Sequence, residues 1–439
     1  MSSKLDAIDT IVVVMMENRS FDHMLGYLSL PPWNRADVEG LKNDPAWQMQ
    51  FANHDKAGKA YQVARFSDAS MNMVGDPPHE RPDIETQLGM PVNGVFPMNG
   101  FVQSYPEPEP LCDRNPLPMG YFTGDQLPTY DFFARSFAIC DHWFCPLPAG
   151  TQPNRLMAMG GASLIDVNKS GLLDNQDLVY DWLNRHNVRW RVYHDKIPFF
   201  SLMPKWIPSI LQDDHFQSFS HFASDVLWEK DSFPQVIFVE PSYTDSPHKE
   251  FPNDDHAPTA ASNGQDFLLH VYNALTANPA RWSKTALVVT YDEHGGFFDH
   301  VSPLPLRTFP PSPASYIPFH TSGPRVPAFV ISPLVEAGSV FKGNLDHTSI
   351  LKFIAEKFGN GSYSPDVDAR KVGSVSDILS RAQPRTDIPH IGDPQPSGFT
   401  PGRKPATPMP AAFQAAWDQM KNLYPEGAAK KFPDLMRHF

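Results

Sequence analysis

Four apolar runs of the sequence each end in side chains that can bind a metal ion. The runs 11–16, 190–193, 236–239 and 287–291 are followed in turn by Glu17-Asn18, His194, Glu240 and Asp292-Glu293. Carboxylate, amide and imidazole donors suit Zn²⁺, Mn²⁺, Mg²⁺ or Ca²⁺ and not a thiolate site. Such residues also begin turns and cap helices, which explains any one run alone. Four run ends together, with Gly295-Gly296 permitting close backbone approach, favour a metal site.

A candidate nucleophile, Thr151, follows Pro148-Ala149-Gly150 and precedes Pro153. A threonine before a proline-containing first turn is a good helix N-cap, and composition alone favours that structural role. The same position would place its hydroxyl in the positive field of a helix N-terminus, which suits a phosphate or a developing alkoxide. The residues themselves leave both interpretations open.

Three further histidines lie in polar loops: His79 in the stretch 76–80, His256 in 253–256 and His300 in 299–301. A single loop histidine is usually a surface or hydrogen-bonded residue. The carboxylates beside His79 and His256 can orient an imidazole as a metal ligand or as a proton donor.

The elements that must position these residues alternate between strands and helices. Apolar runs rich in β-branched residues predict buried strands at 8–16, 188–193, 235–239, 286–291 and 326–331. Helical patterns occupy 129–138, 178–185, 264–277 and 347–358. This alternation predicts an α/β domain around a mostly parallel sheet. Ligands bind outside the carboxyl ends of strands in such sheets, where the polar residues stand.

Length and composition limit the class of protein. The chain has 439 residues, 41 % of them apolar, which is enough for one large catalytic domain or two ordinary ones. Its 46 prolines predict long surface loops. We predict one catalytic domain over 1–392. A Pro/Gly-rich tail with a helix at 411–424 packed on that domain would occupy 393–439.

The net charge and the N-terminal sequence limit the expected binding partners and cellular location of the protein. The net charge of −13, without a Lys/Arg cluster, argues against a nucleic-acid binder and allows at most transient contact with a membrane surface. No apolar signal region precedes the first strand, so we expect a cytoplasmic protein or one exported without a cleaved signal. The three cysteines are expected to be thiols, although one disulfide stays open. The sequence leaves the oligomeric state open.

Four motifs, in order, resemble those of the phosphoesterase family, which includes bacterial phospholipases C, plant non-specific phospholipases C and a group of acid phosphatases. They are Glu-Asn-Arg-Ser-Phe-Asp-His at 17–23 with Gly26, Thr-Gln-Pro-Asn-Arg at 151–155, Asp-Glu-His-Gly-Gly at 292–296 with Asp-His-Val at 299–301, and Gly-Pro-Arg-Val-Pro at 323–327 with Ser-Pro at 332–333. Each motif is moderately specific, and together they cover roughly residues 8 to 360.

The resemblance implies an alkaline-phosphatase-like fold, with helices on both faces of the sheet, and a metal-assisted Thr nucleophile. Carried over to this sequence, the metal ligands are Glu17, Asn18, Thr151, Asp292 and Glu293. The catalytic residues are Thr151 with His79, His194 and His256, which would contact phosphate, act as acid or bind further metal. Several nearby histidines favour zinc, as one or more ions.

The activity that the resemblance implies is that of a metal-dependent phospholipase C. It would hydrolyse glycerophospholipids such as phosphatidylcholine to diacylglycerol and a phosphorylated head group through a phosphothreonyl intermediate. A broad-specificity acid phosphatase acting on monoesters is the main alternative, and a non-catalytic metal-binding protein on the same fold is the third. Aromatic residues in the loops would form either a lipid path or ordinary core: Phe199, Phe200, Phe216, Phe219, Phe297 and Phe298.

Overall fold

A computed structural model describes residues 4–67, 75–105, 116–212, 215–246, 252–391 and 411–438. Within these residues the largest sheet has eight strands. We label them β1 (Thr10–Met16), β2 (Ala138–Cys140), β3 (Trp190–His194), β4 (Phe216–Ser218), β5 (Val236–Glu240), β6 (Thr285–Tyr291), β7 (Ala328–Ile331) and β8 (Val340–Phe341).

The strands lie in the order β8-β2-β7-β6-β1-β5-β3-β4. The five strands from β6 to β4 run parallel, whereas β7 is antiparallel to both of its neighbours and β8 is parallel to β2. In this register Val14 of β1 pairs with Val239 of β5 and with Val289 of β6. The carboxyl ends of the central strands therefore meet at one edge of the sheet.

Helices cover both faces of the sheet. All seven residues of β1 and all seven of β6 are buried. Since successive side chains of a strand point to opposite faces, neither face of these strands is open to solvent. The helices of seven or more residues in the described ranges are α1 (Arg81–Leu88), α2 (Pro128–Ser136), α3 (Thr151–Gly160), α4 (Val179–Arg185), α5 (Phe222–Trp228), α6 (Ala261–Thr276), α7 (Thr348–Phe358), α8 (Ala411–Leu423) and α9 (Pro425–Lys431).

Six of these helices form two packed groups. Helix α6 packs against α2 and α5, and helix α3 packs against α4 and α7. Shorter helices lie in the connections, at Phe21–Met24, Pro45–Gln50, Phe101–Ser104, Ile207–Gln212, Pro279–Trp282, Pro365–Ala369 and Pro433–His438. The predicted α/β fold, with a central, mostly parallel sheet and helices on both faces, is confirmed.

The five predicted strands are present in the eight-stranded sheet, and its three short strands were missed. β2, β4 and β8 contain only two or three residues each, too few to show a period of two. The predicted helix 129–138 was wrong at its end: α2 stops at Ser136, and Ala138 already belongs to β2. Ala138 follows a helical pattern in the sequence, but in the structure it belongs to β2, which pairs with β7 and β8.

The predicted C-terminal helix is present as α8, and it packs against the catalytic domain. Phe413 and Trp417 of α8 belong to the main hydrophobic core. The division into 1–392 and 393–439 stays a prediction, because the Pro/Gly-rich stretch 393–410 lies outside the described residues. Cys140 and Cys145 are buried free thiols, and Cys112 lies outside the described ranges. The described helices are all too short or too polar to span a bilayer.

Candidate active site

The carboxyl ends of β1 and β6 bring together the first and third sequence motifs. Asn18, just after β1, has a left-handed backbone (φ 61°), a conformation that asparagine tolerates better than most residues. Its backbone N–H donates to Oδ1 of Asp292 at 3.0 Å, just after β6. The backbone N–H of Arg19 donates to the carbonyl of Glu293 at 3.1 Å. Two strands that are neighbours in the sheet thus place Glu17, Asn18, Asp292 and Glu293 side by side.

Gly295 permits the close approach of these two loops. It has φ +63°, and a Cβ at this position would lie 2.1 Å from the carbonyl oxygen of Asn18. Its N–H donates to Oε2 of Glu293 at 2.9 Å, which holds that carboxylate in place. A side chain at position 295 would therefore push Asn18 away from Asp292.

Thr151 is the first residue of α3, and the cap residue is Gly150. The cap residue has no side chain, and Oδ1 of Asn168 accepts from the backbone N–H of Gln152 at 2.8 Å, so the alternative in which Thr151 serves as the N-cap was wrong. Its hydroxyl instead donates to Oδ1 of Asn18 at 3.5 Å, a long hydrogen bond. Asn154 braces the preceding loop by donating from Nδ2 to the carbonyl of Ala149 at 2.6 Å. The hydroxyl is thus partly exposed, held at a helix N-terminus and directed to the metal-ligand candidates.

Arg155 belongs to the second sequence motif but was not among the predicted site residues. Its NH2 group lies 3.0 Å from Oε1 of Glu17, and its Nε lies 3.4 Å from Oδ2 of Asp292. Arg155 is 4 % exposed, so its positive charge compensates the two carboxylates in the interior of the protein. Its spacing in the sequence could have indicated this position, because a residue four places after Thr151 lies on the same face of α3.

His79 and His256 join the same cluster through acidic partners. His256 places Nδ1 3.0 Å from Oε2 of Glu17 and Nε2 3.2 Å from Oδ2 of Asp76. His79 places Nε2 3.2 Å from Nδ2 of Asn18, and its Nδ1 donates to the carbonyl of Pro77 at 2.7 Å. The two imidazole rings are 5.8 Å apart. Both predicted histidines are therefore within reach of Glu17 or Asn18.

The charges around these rings favour their protonated forms. Burial alone would lower the pKa of His79, but Glu293 and Asp76 outweigh it and raise this pKa to about 9. Burial likewise opposes protonation of His256, yet Asp76 and Glu17 hold its pKa well above the ordinary value. Burial, with the charges of Glu17 and Glu293, raises the pKa of Asp292 to about 7 although Arg155 opposes the shift. Buried like charges are thus concentrated at this edge of the sheet.

The donor set fits a divalent cation. Oε1 of Glu293 is a buried carboxylate oxygen without a hydrogen-bond partner, and Oδ2 of Asp292 has only the 3.4 Å contact with Nε of Arg155. Such oxygens are costly inside a protein unless a cation or donor satisfies them. His256 also belongs to two groups of possible metal ligands, and within each group the ligand atoms lie within 4.8 Å of one another. One group contains Asp76 and His79, and the other contains Glu17 and Asp254. Asp76 and Asp254 were not predicted as ligands, although each lies within three residues of a predicted histidine.

His194 is the predicted site residue that the described contacts do not join to the others. It ends β3, where Nδ1 donates to the carbonyl of Lys196 at 2.5 Å. Its ring packs near Phe216 and Phe432, 6.5 and 6.1 Å between centroids. Burial, aided by the Lys431 ammonium, lowers its pKa to about 3. The catalytic role of His194 stays a prediction.

His300 belongs to a separate buried network. Its Nδ1 lies 2.6 Å from Oδ2 of Asp22, and Arg325 binds both Asp22 at 3.0 Å and Asp299 at 2.9 Å. Arg325 also donates to the carbonyls of Glu39 and Asp141. These contacts tie the first, third and fourth sequence motifs together. They explain the motif positions 22, 299 and 325 as structural supports for the loops of the site.

Glu17 and Thr151 line a cavity of about 250 Å³, which we call the Thr151 cavity. A buried carboxylate cluster with unsatisfied oxygens, a hydroxyl at a helix N-terminus and nearby imidazoles can bind a cation and a phosphoryl group together. This arrangement is suited to transfer of a phosphoryl group to the hydroxyl.

The sequence of this chain is similar to those of known phosphoesterases. The model of the Phosphoesterase family matches residues 8–360. Non-specific phospholipase C3 of Arabidopsis thaliana is 31 % identical over 419 residues, covering 88 % of this chain and 76 % of that protein. Phospholipase C B of Mycobacterium tuberculosis is 29 % identical, covering 89 % of this chain and 81 % of that protein.

Solved structures are more distant. A protein in the alkaline phosphatase superfamily from Vibrio parahaemolyticus has 10 % identity and a TM-score of 0.32, covering 57 % of this chain and 63 % of its own. The lipoteichoic acid synthase LtaP from Listeria monocytogenes has 12 % identity and a TM-score of 0.35, covering 55 % and 69 %. Structural similarity this low gives no information about the chemistry of the site.

Proposed function

Because this chain belongs to the phosphoesterase family and is a phosphoric ester hydrolase, we propose that it acts as a phospholipase C. Its substrates would be glycerophospholipids such as phosphatidylcholine, cleaved to diacylglycerol and a phosphorylated head group. The observation that carries the proposal is the Thr151 hydroxyl, which does not cap its helix and lies against Asn18 at the carboxyl edge of the sheet. Relatives named as phospholipases C, which align with most of the chain, support the diester substrate.

The proposed metal ligands are Glu17, Asn18, Thr151, Asp292 and Glu293, with His79, His256, Asp76 and Asp254 available to a further ion. Zinc is favoured because imidazoles and carboxylates stand together. A bound divalent cation would polarise a phosphoryl oxygen and lower the pKa of the nucleophilic hydroxyl. We expect stoichiometric zinc by elemental analysis of protein purified without chelator, and full turnover of protein that holds magnesium and no zinc would contradict this assignment.

The proposed reaction consists of two displacements at phosphorus. In the first, Oγ1 of Thr151 bonds to phosphorus while the bond to the diacylglycerol oxygen breaks, which leaves the head-group phosphate on Thr151. The diacylglycerol oxygen gains one proton, and Thr151 loses one. In the second, water bonds to phosphorus, the bond to Oγ1 breaks, and a proton from the water restores the hydroxyl.

A histidine is proposed to donate the proton to the leaving oxygen. Of the two candidates in the cluster, His79 is better placed, because Nδ1 donates to the carbonyl of Pro77 while Nε2 contacts the Asn18 amide and not a carboxylate. Nε2 accepts from Nδ2 of Asn18 in this contact, so it would have to leave that donor and be protonated to act as the acid. Both nitrogens of His256 already have carboxylate partners. Proton transfer of this kind contributes about 10²–10⁴-fold to the rate.

Transient membrane contact is proposed through exposed apolar side chains around α1, the helix that follows His79. Val92 and Val95, in the turn after α1, are 70 % and 60 % exposed. Ile317 is 74 % exposed, and its carbonyl accepts a hydrogen bond from Arg81 at the start of α1. Single exposed apolar residues are common, but these flank both ends of one helix beside the site.

A paired assay tests the substrate class. One arm follows phosphocholine released from phosphatidylcholine in mixed micelles, and the other follows phosphate released from an aromatic monoester between acidic and neutral pH. We expect the lipid arm to dominate by orders of magnitude and to stop when chelator is added. Turnover of the monoester alone would establish an acid phosphatase instead.

Thr151→Val tests the nucleophile. The valine keeps the shape of threonine but removes the attacking oxygen, so we expect kcat to fall about a thousandfold or more with the thermal midpoint unchanged. Thr151→Ser, which retains a hydroxyl, should keep measurable activity and form a labelled phosphoenzyme when quenched in acid. Full activity in the valine variant would remove Thr151 from the mechanism.

A further inference from the structure

The first turn of α8 forms part of the wall of the Thr151 cavity. Ala411, Ala412 and Phe413 line this cavity together with Glu17 and Thr151. The apolar side is completed by Phe199 and Leu202, from a short segment after β3, and the rest of the lining is polar: Gln152, Asn168, Lys169, Ser170 and Asp245. A cavity with a reactive hydroxyl and a carboxylate is therefore also bounded by an apolar surface, and the C-terminal helix supplies much of it.

The sequence of α8 explains why it stays against this cavity. Its buried residues are Ala412, Phe413, Ala416, Trp417 and Met420. These positions recur at the spacing of one helix face, so α8 has a single apolar stripe facing the domain. Phe413, at the start of the stripe, is 4 % exposed. The first turn of α8 is therefore packed on the domain as firmly as the later turns, and the cavity-facing part of Phe413 is held in a fixed position.

Phe413 also connects to the charged centre through an aromatic layer. Its ring centroid is 6.1 Å from that of Phe199 and 6.1 Å from that of Tyr243. The guanidinium carbon of Arg155 lies 4.8 Å from the Phe199 centroid and 4.9 Å from the Tyr243 centroid. Arg155 in turn holds Glu17 and Asp292. Phe413 is therefore three contacts away from the carboxylates of the site, through an aromatic ring and Arg155.

The volume of the cavity limits what it can hold. A cavity of about 250 Å³ equals roughly eight water molecules, less than drug-sized ligands occupy. It can accommodate the part of a leaving alcohol next to phosphorus but not two long acyl chains. The apolar wall therefore meets the carbons of the alcohol that are closest to the bond being broken.

We propose that Phe413 is a specificity-determining residue, which favours phosphate esters of alcohols with apolar carbon near the ester oxygen over esters of small polar alcohols. This inference rests on the proposed function, because it assigns the alcohol side of the substrate to the cavity at Thr151. The helix after the Pro/Gly-rich tail is then part of the substrate site and not only a cover for the domain.

The test compares selectivity in Phe413→Ala, Phe413→Leu and Met420→Ala. Met420 is fully buried on the same face of α8 but does not line the cavity, so its variant reports on loosening of the helix alone. Ratios of kcat/KM are measured for two pairs: dihexanoyl phosphatidylcholine below its micelle concentration against glycerophosphocholine, and 4-nitrophenyl phosphate against glycerol 2-phosphate. Phe413→Leu keeps an apolar side chain, so selectivity can be measured in this variant if Phe413→Ala does not fold.

We expect Phe413→Ala to reduce the preference for the apolar alcohol about tenfold or more in the pair that the enzyme turns over. Phe413→Leu should shift the ratio in the same direction by less, and Met420→Ala should leave it unchanged. An equal loss on both members of a pair, or the same shift in Met420→Ala, would overturn the inference. If the enzyme turns over only the two monoesters, the phospholipase activity is rejected. The kcat/KM ratio of 4-nitrophenyl phosphate to glycerol 2-phosphate then still tests the role of Phe413. A wild-type chain inactive on all four compounds would overturn both.

Discussion

At the scale of single residues, Arg155 compensates buried negative charge in the site. Glu17, Asp292 and Glu293 are all at most 2 % exposed, and like charges so close together oppose ionisation. The guanidinium of Arg155 lies between the first two. Removing one partner of a buried ion pair leaves an uncompensated charge, which is more damaging than loss of the pair. Arg155 is therefore a positioning residue for the proposed metal ligands.

Glu240 is a second buried acid with a distinct environment. It ends β5, is 8 % exposed, and accepts a hydrogen bond from the backbone N–H of Phe199 at 2.7 Å. Burial raises its pKa from 4.5 to about 7, with the Phe199 hydrogen bond, Arg155 and Tyr243 opposing and the charge of Glu17 assisting the shift. Its sheet neighbour, His194, is uncharged at neutral pH because its own pKa is lowered to about 3.

We predict that Glu240→Gln flattens part of the dependence of stability on pH. Because the folded protein holds the Glu240 proton more tightly than the unfolded chain, this contribution is fully present below pH 4.5 and is lost as pH rises through about 7. The free energy of unfolding of the variant, relative to wild type, should therefore rise by up to roughly 3 kcal/mol between pH 4.5 and 8. Urea denaturation at a series of pH values measures it.

The matched control for this prediction is Glu426→Gln, since Glu426 lies exposed on α9. Its difference from wild type should stay constant over the same pH range. If the two variants behave alike, Glu240 is ionised in the folded protein as it is in the unfolded chain.

At the scale of elements, the loops after β1 and β6 determine the geometry of the site. Both strands are neighbours, and both loops turn sharply: Asn18 has φ 61°, and Gly295 and Gly296 have φ 63° and 70°. The turn after β6 approaches the Asn18 backbone so closely that only glycine fits at position 295. The strands thus provide the alignment, while the turns fix the distances between ligand atoms.

We predict that Gly295→Ala weakens metal binding and lowers kcat about a hundredfold, because its Cβ would displace Asn18 from Asp292 and Thr151. Gly58→Ala is the matched control. Gly58 also has positive φ, +84°, but its added Cβ meets nothing within 4 Å. Both variants carry the backbone cost of a left-handed alanine, on the order of 1 kcal/mol.

Calorimetric titration of chelator-treated protein with zinc, followed by kinetics, separates the two variants. Gly58→Ala should bind metal and turn over substrate as wild type does. Equal metal affinity in the two alanine variants would show that Asn18 is not held at the site by the fit of Gly295.

At the scale of the whole molecule, the proposed site and the exposed apolar side chains occupy related positions. Val92, Val95 and Ile317 stand around α1, whose N-terminus follows His79. Trp228 at the end of α5 is 76 % exposed but lies elsewhere: Asn278, which precedes the start of β6, donates to the carbonyl of Val226 at 3.0 Å. Trp228 is thus near the amino edge of the sheet, opposite the carboxyl edge with the site.

We predict that Val92→Asp and Ile317→Asp slow hydrolysis of phosphatidylcholine in micelles several-fold and leave hydrolysis of a monomeric, water-soluble substrate unchanged. The carboxylate replaces apolar surface that would enter the lipid interface, while the distance from the reacting atoms preserves the chemistry. Trp228→Asp should change neither rate. An equal loss on micellar and monomeric substrates in the first two variants would contradict a role in lipid contact.

Several features of this protein were determined by the sequence alone. The apolar runs before Glu17, Glu240 and Asp292 are long enough, and rich enough in β-branched residues, to specify strands buried on both faces. Parallel pairing then brings their polar ends to one edge. The four ordered motifs led to the phosphoesterase family, which the family match confirms over residues 8–360. These properties depend on local pattern and chain order, which a linear sequence records.

Other features were decided only by the tertiary structure. The short strands β2 and β8 form where β7 lies beside β2, and Thr151 is the first helical residue, with its hydroxyl facing Asn18, instead of the cap. The pairing of Arg155 with Glu17 and the position of Phe413 at the Thr151 cavity join residues more than a hundred positions apart. Such contacts depend on packing of distant elements and on the loss of solvent around charges, and neither is a property of any local stretch of sequence.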